Sequence, residues 1–450
     1  MNDKQKEAVS AFLNGDNVFL TGPAGTGKSY TLKEVLIAAN QKKFKVGVTA
    51  TTGSAAHLIG GRTIHSFLSI GLAKASAYAL AANTKMKNKK VAKTIMELNI
   101  LFVDEVSMLS AELLEKISDY LSIVRNCPKP FGGLQVFFIG DFCQLPPVTQ
   151  NRESSFCFNS RVWSQLKLKE IHLTESVRHQ TDPIFQKVLD EVRWGRCSQE
   201  THDLILTFGS GIDSSSSSSH DDDDVEKNAK DKKKEKNKAN KLKPTRLYPT
   251  NVDVDRINDR ELNALIDSGV EARSYSTVYH HTNSKRWAES SKISEIVTLC
   301  VGAQVVVTWN LNQALGVVNG TRGVVTSIKD GTQVLIALRD GREIAIPFVT
   351  VKDESKVSIS YMPLRLAYAL TIHRCQGMTL DCVEVDLGSS IFEFGQAYTA
   401  LSRVRDAASV HVLDLKCESF KCHPDVLEFY NKGKDRSGLK PRPSLNLVPL

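Results

Sequence analysis

The sequence predicts an α/β protein with parallel sheets and one small antiparallel β-barrel. Short apolar runs alternate with helical patterns in the first third of the chain and again near its end, and this alternation builds a parallel sheet. A separate stretch of β-branched runs is divided by Asn-Gly and Asp-Gly pairs, which signal hairpin turns. Because 450 residues are too many for one ordinary core, we expect more than one domain.

Composition and charge set the broad class of protein. No apolar run approaches the roughly 20 residues that cross a bilayer, so a membrane partner is not expected. The net charge of +8 suits a polyanionic partner without proving one. Nine cysteines, an odd number with no C-x-x-C pair, indicate reduced thiols. Since the N-terminus carries no signal or transit pattern, the protein either acts where it is made or is a fragment without its leader.

The first half begins with a strand, a Gly-rich loop and a helix. We predict the strand at residues 17–21 and the helix at residues 29–40. Further strands of the same sheet are predicted at residues 45–49, 100–103 and 135–139. Residues 67–96 interrupt this rhythm with Ala-rich and then Lys-rich sequence, which we interpret as a small accessory element.

The second half contains the barrel and a return to α/β sequence. Its predicted barrel strands are residues 304–308, 323–328, 334–338 and 343–347, and α/β character returns at 366–372 and 382–387. The Ser-, Asp- and Lys-rich segment 214–243 buries too little apolar surface to offset its ordering entropy, so we predict a disordered insertion. Because its charges nearly cancel, we favour a solvated insertion over one that contacts nucleic acid. The tail after Lys432 is also predicted to be disordered.

The loop after the first strand reads GPAGTGKS and fits G-x-x-x-x-G-K-[ST] between a strand and a helix. In this motif, backbone N–H groups and the positive end of the helix hold phosphate oxygens, Lys28 reaches the β- and γ-phosphates, and Ser29 binds Mg²⁺. The pattern therefore predicts that ATP and Mg²⁺ are bound. The loop residues are Gly22, Pro23, Ala24, Gly25, Thr26, Gly27, Lys28 and Ser29.

Two carboxylates and an amide are predicted at the same sheet edge. Asp104 and Glu105 end a buried strand, where Asp104 can hold Mg²⁺ and Glu105 can polarise water. A lone Asp-Glu pair is more often a solvated strand end, but the phosphate loop upstream reverses that preference. Gln144 follows another strand and emerges at this edge, although alone it would be an ordinary loop residue. These residues predict nucleotide hydrolysis without separating a helicase from a kinase.

The order of short blocks along the chain resembles the Pif (petite integration frequency) family of superfamily 1B DNA helicases. The resemblance extends from about Asn2 to Leu415, apart from the insertion. Beside Gln5 and GPAGTGKS, the blocks are VTATTGSAA at 48–56, GGRTIHSF at 60–67, VDEVSM at 103–108, GDFCQLPPV at 140–148, LTESVRHQ at 173–180, LYPTN at 247–251, VNGTRG at 318–323, LTIHRCQGMT at 370–379 and AYTALSRVR at 397–405. Order and spacing together make this resemblance specific.

The resemblance implies a fold and a domain plan. The fold would hold two RecA-like parallel-sheet domains, with a small wedge insertion and an SH3-like β-barrel insertion. The first domain would be 1–170 with its wedge at 67–96, the second 171–298 with 358–432, the barrel 299–357, and the disordered segments 210–245 and 433–450. The chain starts almost at Gln5, without the N-terminal extension of many relatives, which leaves targeting open.

The resemblance also implies an activity. The protein would be an ATP-dependent helicase that moves 5′→3′ on single-stranded DNA and unwinds duplex or structured DNA in replication, repair, recombination or telomere maintenance. Its partners would be single-stranded and forked DNA, bound mainly by a monomer, with a DNA-induced dimer as the alternative. Its location would be the nucleus or mitochondrion of a eukaryote, or the cytoplasm of a bacterial or virus-infected cell.

Roles can be transferred to single residues of matching blocks. Gln5 would read the adenine edge, and Arg178 and Arg403 would act on the γ-phosphate as arginine fingers. Gln376 and Gly377 would couple the nucleotide to the DNA contacts of the second domain. Out of context, these would be a solvated Gln and surface Arg residues. Candidates for the DNA track are Thr51, Thr52, Ser54, His65, Phe67, Thr371 and His373, of which a lone His or Phe is more often a core residue.

Three other functions stay open at this point. A small-molecule phosphotransferase on a phosphate-loop fold would need no second arginine-bearing domain and no DNA. A nucleic-acid scaffold without turnover would be unexpected, because Lys28, Asp104, Glu105, Arg178 and Arg403 are all present. A DNA-stimulated translocase that does not separate strands differs from a helicase in outcome rather than in residues.

Overall fold

The computed structural model describes residues 1–71, 73–147, 155–209, 242–281, 284–290, 293–309, 311–312, 315, 317, 320–329, 333–352 and 358–435. The helices in these ranges are α1 Asp3–Leu13, α2 Lys28–Gln41, α3 Gly53–Leu58, α4 Ile64–Leu68, α5 Ala77–Lys87, α6 Lys89–Glu97, α7 Ala111–Val124, α8 Arg161–Gln165, α9 Pro183–Val192, α10 Gln199–Leu206, α11 Asn251–Asp267, α12 Ser284–Ser290, α13 Gln396–Leu401 and α14 Pro424–Asp435.

The strands are β1 Val18–Thr21, β2 Val46–Ala50, β3 Arg62–Thr63, β4 Ile100–Asp104, β5 Gln135–Gly140, β6 Lys169–His172, β7 Thr245–Tyr248, β8 Ala272–Ser276, β9 Val278–Tyr279, β10 Ile296–Cys300, β11 Gln304–Val307, β12 Arg322–Lys329, β13 Gln333–Leu338, β14 Glu343–Pro347, β15 Val349–Lys352, β16 Ser358–Tyr361, β17 Leu364–Leu366, β18 Ala369–Thr371, β19 Val383–Leu387 and β20 Val410–Leu415.

The N-terminal sheet is parallel, as predicted. Its strand order is β3-β2-β4-β5-β1-β6. Both faces are covered, since Phe19 packs into one apolar cluster while its neighbours Val18 and Leu20 pack into another. All carboxyl ends of these strands therefore meet at one edge, where Thr21, Asp104 and Gly140 end their strands.

The accessory element at residues 67–96 holds the end of α4, all of α5 and most of α6. These helices are packed on α7 through Ala81 and Ile95, which are fully buried. The hydroxyl of Tyr120 on α7 donates to the Leu68 carbonyl at 3.0 Å and lies 3.0 Å from Thr84 Oγ1. The element is therefore anchored to the first sheet's own helical layer.

A second parallel sheet has the order β18-β7-β19-β20. The run at 366–372, where α/β character was predicted to return, is divided between two sheets, because β17 pairs with β11 while β18 pairs with β7. Asn258 of α11 binds the backbone at the break. Its Oδ1 accepts from Tyr368 N at 3.1 Å and Ala369 N at 3.0 Å. Since this Asn lies more than a hundred residues upstream, the local apolar pattern does not reveal the break.

The part of the chain between β7 and β18 contains an antiparallel module. Its main sheet has the order β14-β13-β12-β11-β17, beside the pair β10-β8 and the sheet β15-β16-β9. The turn Asp340-Gly341 closes β13 and β14 with Gly341 at φ 83°, whereas the other two predicted Gly turns include residues outside the described ranges. Because β17 and β8 lie outside residues 299–357, these barrel limits and the other domain limits stay predictions.

Most of the predicted insertion lies outside the described residues, as does the tail from 436. Thr245, the last residue of the predicted disordered range 210–245, is buried and begins β7. At the other predicted disordered segment, α14 continues to Asp435. Within the described ranges, none of the helices has the length and apolar character to span a membrane.

One buried apolar cluster connects the two parallel sheets. It includes Phe19 and Phe138 from the first sheet together with Leu247, Leu370 and Val385 from the second. The sheets are therefore packed through a shared core.

Candidate active site

A cavity of about 430 Å³ lies at the carboxyl edge of the first sheet. From the predicted phosphate loop it is lined by Ala24, Gly25, Gly27, Lys28 and Ser29. From the rest of the predicted site it is lined by Glu105, Gln144, Arg178, Gly377 and Arg403. Residues separated by more than 370 positions in the sequence thus share one cavity.

The phosphate loop wraps around its own lysine. Gly25 and Gly27 take φ values of 82° and 86°, which glycine adopts without strain. Lys28 Nζ donates to Gly22 O at 2.7 Å and to Pro23 O at 2.9 Å, while Thr26 Oγ1 donates to Pro23 O at 2.9 Å. Burial lowers the pKa of Lys28, and the charges of nearby carboxylates oppose that shift. The ammonium is therefore held at the centre of the loop.

Gln5 lies against this loop. Its Nε2 is 3.5 Å from Thr26 O, and a Cβ at Gly27 would lie 2.7 Å from the same nitrogen. The amide oxygen accepts from Asn2 N at 3.0 Å and completes the N-terminal capping box of α1. Helix α1 therefore fixes the side chain of Gln5 beside the phosphate loop.

The acidic pair sits at the end of β4. Glu105 takes a left-handed backbone conformation, with φ 53° and ψ 45°, a conformation that concentrates at functional sites. Asp104 Oδ1 accepts from Glu105 N at 2.8 Å. Burial and the neighbouring Glu105 raise the pKa of Asp104 to about 7. This carboxyl group is therefore destabilised as an anion unless a cation lies beside it.

Gln376 touches the acidic pair directly. Its Nε2 donates to Glu105 Oε2 at 3.1 Å, and its Oε1 is buried without a hydrogen-bond partner among the described residues. Gly377 follows with φ 80°, and a Cβ there would lie 3.6 Å from Glu105 Oε1. The two residues thus bring the second half of the chain against the first-sheet carboxylate.

Gln144 is buried beside the cavity. Its backbone N donates to Asp141 O at 3.0 Å, and its side-chain Oε1 has no partner in the part of the chain that the structure describes. Buried polar atoms normally have a hydrogen-bond partner, so an unpaired one in a cavity wall indicates a missing ligand or water.

Arg178 and Arg403 both reach the cavity. The backbone N–H groups of Val177 and Arg178 donate to Gly25 O at 2.8 and 3.1 Å, which fixes Arg178 over the phosphate loop. Arg178 Nη1 donates to Ser402 O at 2.9 Å, and burial together with Arg403 lowers the pKa of Arg178 to about 10. The cavity wall therefore carries these two arginines in addition to Lys28.

The guanidinium of Arg403 is buried and held by the chain around α13. Its Nε donates to Thr399 O at 2.8 Å, and its Nη2 donates to Ser402 Oγ at 2.7 Å. These bonds fix the orientation of the side chain at the cavity wall.

Several cavity residues escaped the sequence analysis. Tyr30, Thr379 and Arg405 line the cavity, and Arg405 is exposed. Thr379 and Arg405 close the LTIHRCQGMT and AYTALSRVR blocks, which were usable signals, whereas Tyr30 carries no pattern of its own. A buried ion pair between Asp141 and Arg193 was also missed, since nothing in the sequence links these two positions.

The first DNA-track candidates have local partners. Thr51 Oγ1 donates to Glu105 O at 2.8 Å, and Thr52 Oγ1 accepts from Ala55 N at 3.2 Å. The side chain of Ser54 lies outside what the structure describes. Thr51 therefore supports the backbone of the acidic pair, whatever else it contacts.

The remaining candidates are half-buried or buried. The Phe67 ring covers Gly47, where a Cβ would lie 2.8 Å from Phe67 Cζ. His65 and His373 are half-buried, and burial lowers the pKa of His65. Thr371 is buried at the end of β18, where its Oγ1 accepts from Arg374 N at 3.3 Å. Their DNA contacts stay predictions.

Comparison with known families and proteins identifies relatives of the chain. The model of the PIF1-like helicase family matches residues 1–211, and that of the DNA helicase Pif1 2B domain matches residues 294–328. ATP-dependent DNA helicase PIF1 of Xenopus laevis is 35% identical over 98% of this chain, which spans 65% of the frog protein. ATP-dependent DNA helicase Pif1 of Bdellovibrio bacteriovorus is 32% identical, and the match covers 96% of this chain and 92% of that protein.

Solved structures extend the likeness to the whole fold. The Pif1 helicase from Candida albicans superimposes with a TM-score of 0.78 at 31% identity, over 96% of this chain and 99% of its own. Pif1 from Bacteroides sp in complex with ADP-AlF4 gives 0.73 at 25% identity, with 97% of each chain covered. The two parallel sheets are thus two RecA-like domains, and the predicted fold class is confirmed. The family suggested by the order of the sequence blocks is confirmed as well: the chain belongs to the PIF1-like helicase family.

Proposed function

We propose that the protein is an ATP-dependent DNA helicase that moves 5′→3′ along single-stranded DNA and separates duplex or structured DNA. The observation that carries this proposal is the shared cavity. Lys28 of the first RecA-like domain and Arg403 of the second line the same space, so a nucleotide bound there contacts both domains. Binding and hydrolysis in such a cleft change the relation between the domains, which is how a motor advances.

The phosphate loop would bind the β- and γ-phosphates of ATP. Lys28 Nζ donates to two loop carbonyls, and phosphate oxygens would replace these acceptors without moving the loop. The positive N-terminal end of α2, which begins at Lys28, favours the same anion. Gln5, held against Thr26, would read the adenine edge of the nucleotide.

Ser29 and Asp104 would hold Mg²⁺. The residues fit a divalent cation, because Asp104 is buried, beside Glu105, and has a raised pKa that a nearby positive charge would lower. When bound, the ion would neutralise part of the phosphate charge during phosphoryl transfer.

The carboxylate of Glu105 would polarise the attacking water, with Gln144 orienting it. Both side chains line the cavity, and the unpaired Oε1 of Gln144 offers an acceptor for a water proton. Arg178 and Arg403 would stabilise the charge that spreads over the transferring phosphoryl group. Gln376, hydrogen-bonded to Glu105, would report the state of this site to the second domain.

DNA is the proposed track and duplex DNA the proposed substrate. Support comes from relatives, since Bacteroides Pif1 has been solved bound to ssDNA and with ADP-AlF3 and ssDNA. Another solved structure concerns DNA unwinding at forked dsDNA by two coordinating Pif1 helicases. It supports a DNA-induced dimer as an alternative to a monomer. The biological setting would be genome maintenance. The protein would act in the nucleus or mitochondrion if its source is eukaryotic, and in the cytoplasm of the cell if its source is bacterial or viral.

Unwinding of forked duplexes that carry either a 5′ or a 3′ single-stranded tail tests the proposal. We expect strand separation only with the 5′ tail and only with ATP and Mg²⁺. Unwinding from the 3′ tail would overturn the direction. ATP hydrolysis stimulated by DNA without strand separation would leave a translocase, and hydrolysis indifferent to DNA would favour a phosphotransferase.

A further inference from the structure

We propose that the hydroxyl of Tyr398 is a positioning group, which ties the backbone of the phosphate loop to a buried ion pair between the two RecA-like domains. Tyr398 lies on α13 and would act on nucleotide binding through Ala24, without touching the nucleotide itself. This inference rests on the proposed function, because it concerns the loop that would bind ATP.

The Tyr398 hydroxyl has two partners from the first domain. It accepts from Ala24 N at 2.9 Å and donates to Asp141 Oδ2 at 3.3 Å. A phenol offers one donor and accepts through its lone pairs, so the two bonds use both capacities. Tyr398 and Asp141 are 2% and 0% exposed, which leaves water little access to replace either bond.

Asp141 is anchored independently of Tyr398. Arg193 Nε donates to its Oδ2 at 3.0 Å and Arg193 Nη2 to its Oδ1 at 2.9 Å, while Cys143 N donates to Oδ1 at 3.2 Å. Burial alone would raise the pKa of Asp141, but the charge and hydrogen bonds of Arg193 lower it overall. Arg193 is in turn placed 4.5 Å over the Trp194 ring. The acceptor that holds the Tyr398 proton is therefore ionised and fixed.

A second close contact fixes α13 to the segment after β5, which carries Asp141. Gly395 precedes the helix with φ 67°, and a Cβ there would lie 2.5 Å from both the Cys143 and Gln144 carbonyl oxygens. Only glycine permits this approach. Because α13 also leads directly to Arg403, one short helix relates the phosphate loop, Gln144 and an arginine of the cavity.

The position of the bond predicts which kinetic constant it controls. Ala24 lies four residues before Lys28, and its N–H is used by Tyr398 rather than offered to a phosphate. Losing the hydroxyl would free the loop before nucleotide arrives, while Lys28, Glu105 and Arg403 keep their own partners. An interaction that acts equally on bound substrate and transition state changes KM and leaves kcat unchanged.

The test is Tyr398→Phe in the full chain, which keeps the ring and removes the hydroxyl. We expect the KM for ATP and the Kd for a fluorescent ATP analogue to rise about 10-fold, the range for one buried hydrogen bond, with kcat at saturating single-stranded DNA within about 2-fold. The rise in Tm caused by a non-hydrolysable ATP analogue should shrink relative to the wild type, each protein being compared with its own nucleotide-free Tm.

Tyr430→Phe is the matched control. Its hydroxyl is equally buried in the same region but pairs with Thr21 Oγ1 at 2.8 Å and Phe142 N at 3.2 Å, not with the loop. We expect a similar loss of Tm and an unchanged KM for ATP. Equal KM in the Tyr398→Phe variant and wild type, or equal KM changes in the two variants, overturns the positioning role. If wild-type protein binds no nucleotide, the proposed function fails and takes this inference with it.

Discussion

The cavity and the DNA-track candidates differ in how their polar groups are used. In the cavity wall, Gln144 Oε1 is buried without a partner among the described residues, and so is Oε1 of Gln376, which bonds to the cavity residue Glu105. These acceptors fit a site that binds a ligand. Along the candidate track, the hydroxyls of Thr51, Thr52 and Thr371 are each hydrogen-bonded to a backbone group of the protein. A compact ligand such as phosphate needs converging polar side chains. A DNA strand can be held by backbone groups and by stacking on aromatic rings, so its binding surface shows fewer unpaired polar side chains.

The largest effect is expected from Lys28→Ala, which should remove turnover while keeping most of the affinity for single-stranded DNA. The ammonium bonds only to carbonyls of the phosphate loop, and none of the track candidates is among its hydrogen-bond partners in the described residues. DNA-dependent ATPase assays and anisotropy of a labelled oligonucleotide measure the two properties. Wild-type hydrolysis in this variant would mean that the cavity is not the ATP site.

Arg403→Ala should slow hydrolysis by about 1,000-fold with ATP still bound, as for other arginine fingers. The guanidinium lines the cavity from the second domain, where it would stabilise charge that develops only during the reaction. Single-turnover hydrolysis separates this effect from nucleotide affinity. Unchanged hydrolysis would reject the finger role and leave Arg178 or Arg405 to supply the charge.

Thr51→Val tests the residue at which the two regions meet, because Thr51 belongs to the predicted track yet bonds to Glu105 O. We expect kcat to fall about 10-fold and the Kd for single-stranded DNA to change less than about 3-fold, since the lost hydrogen bond supports the acidic pair. Thr52→Val, which removes only a bond from Ala55 N, is the matched control. Weakened DNA binding with normal kcat would instead indicate that Thr51 contacts DNA.

The smallest effect concerns the pH dependence of stability. In the folded protein the pKa of Asp104 is raised to about 7 from 3.8, so the folded state binds the proton more tightly than the unfolded state. Stability without nucleotide or Mg²⁺ should therefore fall as pH rises from about 4 to about 7. Asp104→Asn should remove part of this slope and raise Tm at pH 8 by a few degrees. Thermal melts from pH 5 to 8 measure it, and an identical slope in the variant would contradict the shifted pKa.

The sequence predicted elements best where the pattern was local and strong. Four buried strands of the first sheet were predicted to within one residue at each end, but β3 and β6 were missed. The first of these has two residues, and β6, Lys169–His172, has an exposed polar start. The divided run at 366–372 depends on Asn258, whose contact is made only by tertiary folding.

The same distinction applies to the site. GPAGTGKS and Asp104-Glu105 were visible because their chemistry is contiguous, and the arginines were placed only through the order of the family blocks. The contacts of Tyr398 with Ala24 and Asp141 join positions more than 250 residues apart. Residues so separated carry no shared spacing or periodicity, so only the fold brings them into view.

The hydrogen bond from Gln376 to Glu105 also bears on how fast ATP would be hydrolysed in the absence of DNA. While that amide holds Oε2, one oxygen of the proposed water-polarising carboxylate is occupied by the opposite domain. Idle consumption of ATP would thus be restrained by the resting geometry itself. A bound DNA strand that shifts the second domain would break this hydrogen bond, so that the rate of ATP hydrolysis rises when DNA is bound.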